Sequence, residues 1–141
     1  MRLSDQPEYL TAVPAAVSGN YGVARNNLST LIARAETEAD QDAICHLMQT
    51  LANVEAKAGN PELAHALHKQ AIGLDPSSPL PLLMYAKGLL TAFHSPKWAE
   101  AYLAQAEKLL NSTGWVPHDD ELSREWYLRE FDELRGKISE S

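Results

Sequence analysis

Apolar residues recur every three or four positions along most of this chain, with polar residues between them. One such stretch runs from Ile44 to Ala52 and another from Leu82 to Phe93. This spacing places the apolar side chains on one face of an α-helix. Alternating runs of β-branched and aromatic residues, which are typical of strands, do not occur. The pattern therefore predicts an all-α fold.

Proline, glycine and small polar residues divide this pattern into separate helices. A polar residue before proline, as at Asn60-Pro61, is typical of a helix start, because the polar side chain can cap the helix and proline loses no hydrogen bond there. Gly19 and Gly59 lie where glycine commonly ends a helix. The predicted helices span residues 5–18, 21–38, 41–58, 61–74, 79–93, 96–111 and 120–138. We expect Pro14 to kink or shorten the first of them.

The chain also resembles itself at two spacings, of 40 residues and of 34 to 35 residues. The first shift superimposes Ala12, Ala16, Gly19, Asn20, Ala24 and Ile32 on Ala52, Ala56, Gly59, Asn60, Ala64 and Ile72. Small side chains at recurring positions let two helices approach closely. The spacing predicts helix hairpins at 5–38, 41–74 and 79–111, a linker at 112–119 and a last helix at 120–138.

The segment from Cys45 to Ser78 resembles one tetratricopeptide repeat. The features that match are Leu51-Ala52 on the first helix, Gly59 in the turn, Ala64 and Ala71 on the second helix, and Pro76 at the end. The next unit departs from the family pattern at its turn, where His94 stands in place of glycine. The resemblance implies a single domain over residues 1–141, folded as a right-handed α–α superhelix of about three hairpins.

The predicted last helix has an apolar face, which includes Trp126 and Phe131, and a highly charged opposite face. Terminal repeats of such folds need a polar outer surface, so we interpret this helix as a C-terminal cap. A seventh core helix is the alternative. We expect Trp115, in the linker, to fill the gap before this helix.

In the tetratricopeptide family, the first helices of the hairpins line a concave groove that binds partner proteins. The resemblance places the partner-binding positions at Tyr9, His46, Gln49, Asn53, Lys57, Leu83 and Lys87. The expected function is a protein–protein interaction module, either an adaptor or a chaperone-like protein, that binds a peptide or helix in this groove. The alternative is a structural scaffold in which the partner is a second copy of the chain.

Charge and hydropathy narrow the classes of partner. The formal net charge is −7, and an acidic surface repels phosphate groups, so we expect no nucleic-acid partner. Apolar runs are far shorter than the roughly 18 residues that a membrane span needs. The segment from Met1 to Gly19 lacks the basic start and unbroken apolar stretch of a signal peptide. We therefore expect a cytoplasmic protein without membrane contact.

Few residues suggest chemistry. His65 and His68 lie three positions apart and could bind zinc together with Cys45 or His46, but packing or surface roles explain these histidines more simply. No base or orienting group is evident for Cys45, which we interpret as a buried structural thiol. Phosphate-binding glycine loops and hydrolase motifs do not occur. The sequence predicts no enzyme activity, no cofactor and no metal site.

Overall fold

The computed structural model describes residues 1–112 and 123–141, and these residues are helical without any strand. A short 3-10 turn at Leu3–Asp5 comes first. The α-helices are α1 (Pro7–Val17), α2 (Tyr21–Thr37), α3 (Gln41–Lys57), α4 (Pro61–Leu74), α5 (Pro79–Thr91), α6 (Pro96–Leu110) and α7 (Arg124–Ser139). The all-α prediction is confirmed. Trp115, most of the predicted linker and the predicted start of the last helix lie outside the described residues.

Predicted and observed helix ends agree closely from α2 to α6, because proline and glycine mark most of these ends. The predicted first helix at 5–18 is wrong at its start. Asp5 belongs to the 3-10 turn, and α1 begins at Pro7, in the position where proline loses no hydrogen bond. Pro14 does not end α1, which continues to Val17.

Left-handed residues lie in the turns within the three hairpins, and one more, Ala39, lies between α2 and α3. Gly19 and Gly59 have φ angles of 87° and 90°, which confirms their predicted role as helix stops. Ala39 and His94 adopt the same region, with φ angles of 53° and 51°, although neither is glycine. His94 thus replaces the missing glycine of the third hairpin in conformation as well as in position.

Side-chain caps begin several helices. The Asp40 carboxylate accepts a hydrogen bond from the backbone N–H of Ala43, at 3.2 Å, and so caps α3. The prediction for Asn60 is wrong in its detail, because this side chain makes no capping hydrogen bond to α4. Its amide nitrogen instead donates to the Glu55 carboxylate, at 3.3 Å. Asn60 therefore binds back to the preceding helix.

The described residues form two compact units, Met1–Asp75 and Pro76–Ser141. In the first unit, helices α1 to α4 pack in chain order, each against the next. Several of the alanines predicted at close helix contacts are fully buried, namely Ala24, Ala52, Ala64 and Ala71, whereas Ala16 and Ala56 are only partly buried. Leu28, Leu31 and Leu47 belong to the same buried cluster as Ala24 and are not exposed to solvent. Small and large residues thus interdigitate, as dense helix packing requires.

Two arginines of α2 fasten the neighbouring helices of the first unit. Arg25 donates a forked pair of hydrogen bonds to the buried Glu55 carboxylate of α3, the shortest at 2.6 Å. Arg34 donates to Gln6, at 2.6 Å, and to Glu8, at 2.8 Å. Bidentate pairs of this kind fix orientation as well as distance. They hold α1 and α3 at defined positions on α2.

In the second unit, α5 and α6 form a hairpin and α7 packs against both helices. Tyr127, Phe131 and Leu134 of α7 are buried, whereas most of its other residues are exposed. This one-sided burial agrees with the amphipathic pattern of the predicted last helix. The superhelical arrangement and the single domain stay predictions. No helix in the described parts of the chain has both the length and the hydropathy that a membrane span requires.

Candidate functional site

A line of polar side chains runs along the outer side of α3. Its members follow one another at intervals of four, four, three and four residues: Asp42, His46, Thr50, Asn53 and Lys57. Such intervals keep side chains on one face of a helix. The two charged residues at the ends are exposed, and the three neutral residues between them are half-buried. Three of the predicted partner-binding residues, on α3, thus lie on one face.

Tyr9 connects α1 to this polar line. Its hydroxyl lies 3.2 Å from Nε2 of His46, and the two rings have centroids 6.1 Å apart. Burial lowers the pKa of His46 and raises the pKa of Tyr9, so both side chains are neutral near pH 7. The sequence-predicted residues Tyr9 and His46 are therefore brought together in a neutral contact between the first helices of two hairpins.

The outer face of α1 is apolar. Leu10, Val13 and Val17 are 60%, 42% and 78% exposed, although Ala12 on the opposite face is buried. The three side chains recur at intervals of three and four residues, so they share one face. Val13 lies one helical turn beyond Tyr9, on the side of α1 that reaches His46. We call this apolar face and the adjoining polar line of α3 together the α1–α3 surface.

Sequence reasoning missed Leu10 and Val17 as candidate surface residues. A signal was present, because no charged residue occurs between Glu8 and Arg25, in a chain of which 22% is charged. The apolar periodicity shows that such residues share a helix face, but it does not show whether that face is buried. In the structure α1 buries Ala12 and leaves Leu10, Val13 and Val17 exposed.

Gln49 lies inside the first unit rather than on its surface. Its side-chain amide is almost completely buried, and its nitrogen lies 3.2 Å from Nδ1 of His68 on α4. An amide nitrogen can only donate, so Nδ1 is the acceptor and the ring is neutral. Burial, with a smaller contribution from His65, lowers the pKa of His68 to about 4. The partner-binding role of Gln49 stays a prediction, but the structure gives this side chain an internal contact.

The two candidates on α5 belong to the second unit and already have contacts within it. Leu83 is fully buried. The Lys87 ammonium group donates to the Glu130 carboxylate of α7, at 2.5 Å, and lies 6.0 Å from the centre of the Trp126 ring. Both contacts hold α7 against α5, so a partner of Lys87 would have to compete with them.

Cys45 is buried, as predicted, and its thiol lies 3.5 Å from the carbonyl oxygen of Ala71. Burial raises the pKa of the Cys45 thiol to about 11, with smaller contributions from Asp75 and Asp42. A protonated thiol is a poor nucleophile and a poor metal ligand. Within the described ranges, no three side chains of the His, Cys, Asp and Glu types are grouped so that they could bind a metal ion.

No protein-family model matches this chain, and no curated protein or solved structure is significantly similar to it.

Proposed function

We propose that this protein is a protein–protein interaction module, of the adaptor or chaperone-like kind, that binds a helical or extended partner segment on the α1–α3 surface. The exposure of Leu10, Val13 and Val17 on one helix face is the observation that carries the proposal. Single exposed apolar residues are ordinary, but several on one face favour a binding site.

The polar line of α3 complements the apolar face of α1. Thr50 and Asn53 offer hydroxyl and amide groups, and Lys57 offers an exposed ammonium group. An apolar face attracts a partner without direction, whereas donors and acceptors beside it fix the partner's register. An amphipathic helix, or a peptide with alternating character, suits such a combination.

A tetratricopeptide-like arrangement would place the first helices of successive hairpins side by side and form a groove between them. The hydrogen bond between Tyr9 and His46 supports this arrangement for the first two hairpins, because it joins α1 to α3. The proposal requires no chemical step and no cofactor.

Affinity purification with a charge introduced at Val13 tests the proposal. Val13→Asp places a carboxylate in the apolar face and should abolish capture of the partner, because the charge would lose its water on binding. Val23→Asp is the matched control, since Val23 on α2 is 37% exposed and lies on another helix. Captured proteins should be lost with Val13→Asp and retained with Val23→Asp. Equal capture by the native chain and both variants would refute the α1–α3 surface as the binding site.

A further inference from the structure

Four of the five residues of the polar line of α3 are complementary to one another when the line is reversed. Asp42 and Lys57 are equally distant from the midpoint of the line, which lies between Gln49 and Thr50. His46 and Asn53 are also equally distant from that midpoint. An antiparallel copy of α3 laid on this line would therefore place Asp42 opposite Lys57 and His46 opposite Asn53, whereas the symmetry counterpart of Thr50 is the buried Gln49.

This reversal matches the charges at both ends at once. Asp42 and Lys57 are separated by 15 residues, or about 22 Å along the helix axis. Both are exposed, and neither forms an ion pair within the described ranges of the chain. In a two-fold pair, Asp42 of each copy would meet Lys57 of the other. A parallel pair in the same register would instead bring like charges together, so the charges select the antiparallel orientation.

The residues next to the polar line also favour a second copy of the chain as the partner. Two copies of a chain with a net charge of −7 repel each other over most of their surfaces. The outer face of α1 belongs to the uncharged run between Glu8 and Arg25, so two such faces meet without repulsion. Leu10, Val13 and Val17 supply apolar area there. Three side chains supply much less apolar area than the roughly 1,200–2,000 Å² that a standard interface buries, so we expect a weak dimer that forms only at higher protein concentrations.

We propose that the α1–α3 surface binds a second copy of this chain, with the two α3 helices antiparallel and Asp42 of each copy paired with Lys57 of the other. This inference rests on the proposed function, because it names the partner of the same surface. The helix that binds to this surface is then α3 of the second copy.

Charge reversal tests the pairing, with sedimentation velocity over a range of protein concentrations as the measurement. Asp42→Lys alone places two lysines opposite each other at both ends of the interface, and Lys57→Asp alone places two aspartates there. Each variant should dimerise at least about tenfold more weakly than the native chain, because two attractive contacts become repulsive. An equimolar mixture of the two variants should recover the native affinity. In the mixed dimer the introduced lysine meets the introduced aspartate at one end, and the native Asp42 meets the native Lys57 at the other.

Glu62→Lys and Lys69→Asp are the matched controls. Glu62 occupies the first turn of α4, as Asp42 does in α3, and Lys69 is exposed on α4. These changes alter the net charge by the same amounts without touching the α1–α3 surface, and Glu62→Lys also matches Asp42→Lys in its position at a helix start. The dimer affinity should therefore change little. Circular dichroism verifies that each variant is folded, and the mixture remains informative even where one variant is less stable.

Three results would overturn the inference: a native chain that stays monomeric, a dimer that ignores Asp42→Lys and Lys57→Asp, or a mixture no stronger than either variant. A monomeric chain whose capture of another protein is still lost with Val13→Asp would refute self-association and leave the proposed function standing. If Val13→Asp still captures the partner and still dimerises like the native chain, both the proposed function and the self-association are refuted.

Discussion

Acidification should destabilise the first unit well above the pH at which carboxylates become protonated. His68 is fully buried between α3 and α4, with Nδ1 accepting from Gln49. Burial holds its pKa near 4, compared with 6.5 for an ordinary histidine. The unfolded chain therefore binds a proton more readily than the folded chain between these two values. Stability is then complete above pH 6.5 and falls as the pH decreases toward 4.

The size of this effect follows from the two pKa values. With 6.5 in the unfolded chain and about 4 in the folded chain, linkage predicts a loss of about 2 kcal/mol between pH 7 and pH 5. His46, whose pKa is also lowered by burial, acts in the same direction. Glu55 and Asp40 have lowered pKa values through Arg25 and the chain's amino group, respectively, so their contributions are lost only below about pH 5.

Urea unfolding at pH 7, 6 and 5 measures this dependence. Circular dichroism reports all helices, whereas the tryptophans, none of which precedes Trp98, report only the second unit. Amide hydrogen exchange of residues 41–74 then identifies the unit that loses stability. His68→Gln removes the buried imidazole and should make the free energy of unfolding less dependent on pH. His94→Asn is the control, because it removes an exposed imidazole and asparagine tolerates the left-handed backbone at this position; the pH dependence should stay as in the native chain. An unchanged dependence in His68→Gln would refute the reasoning.

Two further changes test the packing of the first unit. Arg25→Ala should lower the urea midpoint more than Arg34→Ala. The first change leaves Glu55 as a buried carboxylate without its arginine, whereas Glu8, the partner of Arg34, is partly exposed. Equal decreases of the urea midpoint in the two variants would contradict this prediction. Ala71→Leu should lower the free energy of unfolding by about 1–3 kcal/mol through overpacking of a fully buried position, and a thermal melt that does not move would count against the close helix contact.

The helices were predictable from the sequence because their ends depend on local chemistry. Proline at the first helical position and glycine with positive φ act within a few residues, so α4 begins at Pro61 and its predecessor stops before Gly59. Ala39 adopts the same left-handed region without a local preference for it, and His94 does so with only the modest preference of histidine. A left-handed residue that is not glycine persists only where the surrounding structure holds it, so its position is not evident from a single sequence.

The candidate surface was only partly predictable, because burial depends on which helices meet. Positions carried over from the tetratricopeptide family gave His46, Asn53 and Lys57, which share the outer face of α3. Gln49 lies at the edge of that face, where a turn of less than one residue decides between solvent and core. Its buried contact with His68 could be predicted only from the way in which α4 packs on α3, which a single sequence does not show.

The second unit contains another exposed apolar side chain, Trp98, which is 62% exposed. If exposure alone indicated a binding site, Trp98 would be as good a candidate as the α1–α3 surface. On α6, however, the next residues along the same face are Ala101, Tyr102 and Gln105. The Tyr102 ring is half-buried and packs on Tyr85, with centroids 4.7 Å apart, so it adds little exposed apolar area. On α1, Leu10 is followed by further apolar residues at helical intervals, and Tyr9 fixes that helix to a polar line with matched ends. Repetition along a helix and complementary polar groups beside it distinguish a docking face from a single exposed ring, and both occur on α1 and α3.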